Sequence, residues 1–99
     1  MKSLLARIRD CTGFDWDDGN TGKNERTHSV TDAECEETLL GQILVAADPT
    51  HSRKEERIGV LGKTLRGREV FLVITLRGEK IRVISARDMS RKEREVYNQ

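Results

Sequence analysis

The stretch "EVFLVITLRGEKIRVISAR" (residues 69–87) holds two runs of strand-forming residues around Gly78-Glu79. A two-residue glycine-containing loop between such runs is the signature of a tight β-hairpin. Its register follows: Arg77 pairs with Lys80, Leu76 with Ile81, Thr75 with Arg82 and Ile74 with Val83. Side chains alternate between sheet faces, and opposed residues share one.

The segment 57–64, "RIGVLGKT", reads as the preceding strand, with Arg66-Gly67 at the intervening tip. That tip pairs Thr64 with Glu69, Ile58 with Thr75 and Glu56 with Arg77. One sheet face then collects Val70, Leu72, Ile74, Leu76, Ile81, Val83 and Leu61. The other carries Glu56, Arg77, Lys80, Thr75 and Arg82, with Phe71, Val73 and Ile84 further along. A slip of one residue would exchange the faces of a strand.

Helices precede and follow these strands. Thr31-Asp32-Ala33-Glu34 has the capping-box form, with Val30 and Cys35 placed as a hydrophobic staple and Gly41 as the stop. Ser90 and Glu93 repeat the capping box before a last helix. A polar helix is expected around residues 22–28, a brief strand at "FDWD" (14–17), and another from Ile43 to Ala47, closed by Asp48-Pro49. The expected fold is α+β, a small and mainly antiparallel sheet with helices packed on its greasy face.

The 99 residues make one domain, and no apolar run approaches the roughly 20 needed to span a bilayer. The first residues lack a signal-peptide apolar region, so the expected location is the cytoplasm. Two isolated cysteines, Cys11 and Cys35, fit free thiols in a reducing compartment. Neither they nor His28 and His51 match a compact zinc spacing, so no metal or other cofactor is expected. "GVLGKT" (59–64) has the wrong glycine spacing for a phosphate loop.

Charge is divided unevenly along the chain. Residues 1–52 hold 5 Lys/Arg and 10 Asp/Glu, net −5, and residues 53–99 hold 13 and 7, net +6, matching the overall +1. A basic half suggests a polyanion partner.

The order of motifs resembles a known family. "FDWD" (14–17), Asn24, His28-Ser29-Val30, the acidic helix, Glu55-Glu56-Arg57, "RGEKIRVISAR" (77–87) and "SRKEREVY" (90–97) are similar to BrnT-type proteins, ribonuclease toxins of type II toxin–antitoxin modules. The resemblance covers residues 14–97 and leaves 1–13 as an N-terminal extension ahead of one toxin-like domain, 14–99. Ser29 stands where the family usually has a turn glycine. Ile74 and Leu76 replace more polar residues.

The resemblance implies a RelE-like fold and metal-independent cleavage of mRNA, which inhibits translation. It also implies a ribbon-helix-helix, BrnA-like antitoxin, able to form a heterotetramer with the toxin. Such cleavage needs a base for the attacking 2′-hydroxyl and positive charge for the phosphorane-like transition state. Arg77 and Arg87 are the candidates for that charge, expected to close on one phosphate. Glu56 and His28 are the candidate bases, with Tyr97 behind them. Lys80, Arg82, Arg91 and Lys92 are expected to hold RNA. Glu56 has a competing reading as the cross-strand partner of Arg77. A non-catalytic regulator acting with its antitoxin, or a plain nucleic-acid-binding module, is the alternative function.

Overall fold

The computed structural model describes residues 1–48 and 54–99; Pro49 and His51 lie outside them. The order is α1 (Leu4–Arg9), β1 (Gly13–Phe14), α2 (Lys23–His28), α3 (Asp32–Leu40), β2 (Leu44–Ala47), β3 (Ile58–Lys63), β4 (Glu69–Arg77), β5 (Lys80–Asp88) and α4 (Arg91–Tyr97). The strands form one sheet in the order β1-β5-β4-β3-β2. Only the β1–β5 pair is parallel, so the sheet is mixed within an α+β fold.

The β4–β5 hairpin has the expected register from Arg77–Lys80 to Ile74–Val83. Beyond it β5 bulges. Ile74 pairs with Val83 but Val73 pairs with Ser85, which leaves Ile84 unpaired. The extra residue reverses the alternation, so Arg87, opposite Phe71, joins Arg82 on one face.

The β3–β4 hairpin corrects the expected register by one residue: Lys63 pairs with Glu69, and Ile58 with Ile74. Its tip is a three-residue turn, Leu65-Arg66-Gly67, inside a Thr64 amide to Arg68 carbonyl bond, with Gly67 at φ 86°. That geometry is typical of a three-residue hairpin with a left-handed glycine. Val60, not Leu61, therefore enters the core.

Val70, Leu72, Ile74, Ile81, Val83 and Ala86 are buried against Val30, Cys35, Leu39 and Ile8. Burial, reinforced by the acidic residues of α3, pushes the Cys35 thiol up to about 12. Both capping boxes form, at Thr31–Glu34 and Ser90–Glu93. Ser29 takes the left-handed conformation at φ 58°, where the resembled pattern carries glycine.

Two departures shape the rest of the molecule. Residues 4–9 form a helix, α1, whose Ile8 enters the core and whose Arg9 donates to the carbonyls of Leu39 and Gly41, closing the C-terminus of α3. The last helix, α4, leans on the face opposite to the core, where Arg94 pairs with Glu69 and Tyr97 lies under Lys63.

Candidate functional site

The sheet face turned away from the core carries Arg77, Thr75, Val73 and Phe71 on β4, and Lys80, Arg82, Ser85 and Arg87 on β5. β1 pairs with β5 only at Lys80 and Ile81. The Asp15 amide bonds the Ile81 carbonyl, and the chain then turns away, so "FDWD" is a strand only at Phe14. Two buried asparagines replace the missing strand. Asn20 donates to the carbonyls of Val83 and Asp15, and Asn24 accepts from the Ala86 amide at 2.9 Å. They fix the loop after β1 against the edge of β5.

That loop brings carboxylates to the arginines. Asp17 Oδ1 accepts from Arg82 Nη2 at 3.0 Å, and the Gly19 amide donates to the same oxygen at 2.8 Å. A Cβ on Gly19 would lie 3.0 Å from Arg82 Nη2, so glycine permits the approach. The Arg82 bond, followed by the Gly19 bond, holds the Asp17 carboxyl below its usual range. The Arg82 side chain is only 11 % exposed, and among the described residues its Nη1 has no hydrogen-bond partner. Asp15 stands 3.6 Å from Arg82 Nη1 and 3.9 Å from Arg77 Nη1, close enough for attraction but beyond hydrogen bonding.

Arg77 is held by Glu55 in a two-pronged pair, Nε to Oε2 at 3.1 Å and Nη2 to Oε1 at 2.9 Å. The bond lowers the Glu55 carboxyl and raises the guanidinium. The partner expected for Arg77 was Glu56. The one-residue register shift turns Glu56 to the helical side instead, where it meets Arg7 of α1 at 2.9 Å.

Arg87 forms a second centre. Its Nη1 and Nη2 meet Glu93 of α4 at 2.8 and 3.0 Å, and its Cζ lies over the Phe71 ring, 4.4 Å from the ring centre. Six residues of β4 separate Phe71 from Arg77, about 20 Å at 3.3 Å per residue. Arg77 and Arg87 therefore do not close on one phosphate; they mark two points along the face.

The remaining candidates lie at the ends. Lys80 is exposed beside Arg77. Arg91, paired loosely with Glu95, and Lys92 project from the first turn of α4. His28 closes α2, and its carbonyl accepts from Arg68, which also binds Asp88 at the far end of β5. His28 is thus at the Arg87 end of the sheet and remote from Arg77. Tyr97 donates to the Gln42 carbonyl.

Sequence reasoning missed Asp15, Asp17, Glu55 and Glu93 as partners of the arginines. The alternation in "FDWD" was the only local signal for the first two. Among the described residues no group of three or more His, Cys, Asp or Glu is placed to hold a metal ion, and no helix is long and apolar enough to cross a membrane.

Residues 16–93 match the family model described as the ribonuclease toxin BrnT of type II toxin–antitoxin systems. No curated protein matches the chain. The match spans most of the chain and includes the Trp16-Asp17 turn, the hairpin and Glu93, so this protein belongs to the BrnT family of ribonuclease toxins.

Proposed function

We propose that the chain cleaves mRNA without a metal, stops translation in the cytoplasm, and is neutralised by a ribbon-helix-helix antitoxin in a heterotetramer. The observation that carries this reading is the basic row on the sheet face opposite the core. Lys80 and Arg77 lie at one end of that face, Arg87 at the other, and Arg91 and Lys92 on the adjoining first turn of α4. Such a row tracks a single-stranded backbone over several nucleotides, and cationic contacts to phosphate supply affinity without sequence choice.

Cleavage requires the 2′-oxygen to attack the adjacent phosphorus, forming a 2′,3′-cyclic phosphate as the bond to the 5′-oxygen breaks and that oxygen takes a proton from water. Guanidinium groups suit the charge that builds on the phosphoryl oxygens. Arg77, beside Asp15, takes that role at the reacting phosphate, Arg87 grips a phosphate further along the strand, and buried Arg82 adds field rather than contact. Neither Glu56, tied to Arg7, nor His28, at the end of α2, stands beside Arg77. We assign the base to Asp15, because its carboxylate lies between Arg77 and Arg82 and makes no hydrogen bond to either. Fixed at the strand end by the Asp15 amide bond to Ile81, it is positioned to accept the hydroxyl proton.

Expression of the chain without antitoxin tests the reading. Growth should arrest with fragmented mRNA, and Asp15→Asn should relieve the arrest while the folded protein still accumulates. A second reading, a regulator that has lost cleavage, draws on the complete pairing of Arg77 with Glu55. Normal growth with intact mRNA would favour it.

A further inference from the structure

Arg87 has five N–H groups, and the structure assigns most of them. Nη1 spends its two on Glu93 Oε1 at 2.8 Å and on the Asp88 carbonyl at 3.0 Å. Nη2 gives one to Glu93 Oε2 at 3.0 Å. Among the described residues nothing takes Nε–H or the second Nη2–H, which lie on the same edge of the guanidinium. That edge is a fork matched to two phosphate oxygens.

The other two arginines of this face differ. Arg77 has given the same Nε/Nη2 edge to Glu55, and Arg82 is nearly buried behind Asp17. The Arg87 side chain is 41 % exposed, while Phe71 fixes the plane of its guanidinium from below. Glu93 therefore fixes rotation within that plane, and Phe71 fixes the plane itself.

Glu93 has a second task. Its Oε1 also accepts from the Ser90 amide at 2.8 Å, completing the capping box at the start of α4. The helix buries none of its own residues and is held by polar contacts. One carboxylate thus seats α4 and orients Arg87 together.

We propose that Glu93 is a positioning residue for RNA cleavage, clamping one edge of Arg87 so that the Nε/Nη2 edge is presented to an RNA phosphate. The inference rests on the reading of Arg87 as a phosphate ligand. Its sign separates it from a simple charge effect. A carboxylate this close to a bound phosphate repels it, so charge alone makes Glu93 inhibitory. Orientation makes it helpful, because a grip aimed in advance holds the strand in register at the reacting bond.

The test uses the full chain freed of antitoxin, a short RNA oligonucleotide, and the variants Glu93→Gln, Arg87→Ala and the two combined. Gln at this position keeps the capping box but cannot accept both prongs of the guanidinium. Glu93→Gln should lower kcat about 10- to 100-fold, the cost expected when a substrate-positioning contact away from the chemistry is loosened. KM should stay level or fall. In the Arg87→Ala background the same change should cost nothing further, since both act through one contact. Glu93→Gln cleaving as fast as the parent or faster, with Arg87→Ala impaired, overturns the positioning role and leaves Arg87 in place. A further loss in the Arg87→Ala background overturns it too, because Glu93 would then act by another route. Arg87→Ala cleaving at the parental rate removes the underlying reading of Arg87, and this inference with it.

Discussion

Replacing Ile8 by Ala should destabilise the whole domain, although α1 lies ahead of the segment that matches the family. Ile8 is 2 % exposed and belongs to the same core as Leu39 and Ile81. Large-to-small changes of this kind cost about 2–5 kcal/mol. Ile8 also lines a cleft of about 180 Å³ with Phe14 and Leu39, so the new space joins an existing opening that water can enter. The lower part of the range applies, about 2–3 kcal/mol. In a domain of this size each kcal/mol moves the midpoint by about 4–8 °C, so Tm should fall by roughly 10–20 °C. Arg9→Ala should cost less, about 1 kcal/mol, by freeing the carbonyls that end α3. Urea unfolding followed by the fluorescence of Trp16, the single tryptophan, measures both. An Ile8→Ala variant within about 0.5 kcal/mol of the parent, the range of ordinary surface substitutions, would refute the claim that α1 is part of the core.

Three other outcomes are expected. Ser29→Gly should stabilise by about 0.5–1 kcal/mol, because glycine takes the left-handed conformation without the Cβ penalty; a lower urea midpoint would contradict this. Arginine partners depress Asp17, Asp88, Glu55 and Glu93 below their ordinary 3.8 and 4.5. Their stabilising contribution is therefore complete above those values and lost as pH falls through the lowered ones, so Tm should be flat from pH 7 to about 5 and decline below about 4.5. For RNA binding, some five contacts, by Arg77, Lys80, Arg87, Arg91 and Lys92, give a slope of log K against log salt of about −3.5; a slope near zero would place the RNA elsewhere.

The sequence made some of this arrangement legible and concealed the rest for physical reasons. Local rules sufficed for the two capping boxes and for the hairpin at Gly78-Glu79, where one short loop sets a register. They failed at residues 65–67, where two- and three-residue turns both accommodate a glycine, and the choice decides whether Glu55 or Glu56 faces Arg77. The β5 bulge left no mark in the alternation, although it brings Arg87 to the face opposite the core. Asp15, Asp17 and Glu93 meet their arginines through the loop after β1 and the packing of α4. Pairing of that kind depends on tertiary placement and has no periodic signature. Helix α1 is short, and only its contacts with β2 and the end of α3 reveal that it belongs to the core.

The central claim is that arginines of the sheet face opposite the core drive RNA cleavage without a metal. The direct measurement is cleavage of RNA in EDTA by the purified chain freed of antitoxin, alongside Arg77→Ala, Arg87→Ala and an Arg94→Ala control. Cleavage by the parent and the control should continue unchanged in EDTA, while loss of Arg77 or Arg87 should slow it about 10²-fold or more. Activity that disappears in EDTA and returns with a divalent ion would contradict the account, as would full activity in the Arg77 and Arg87 variants.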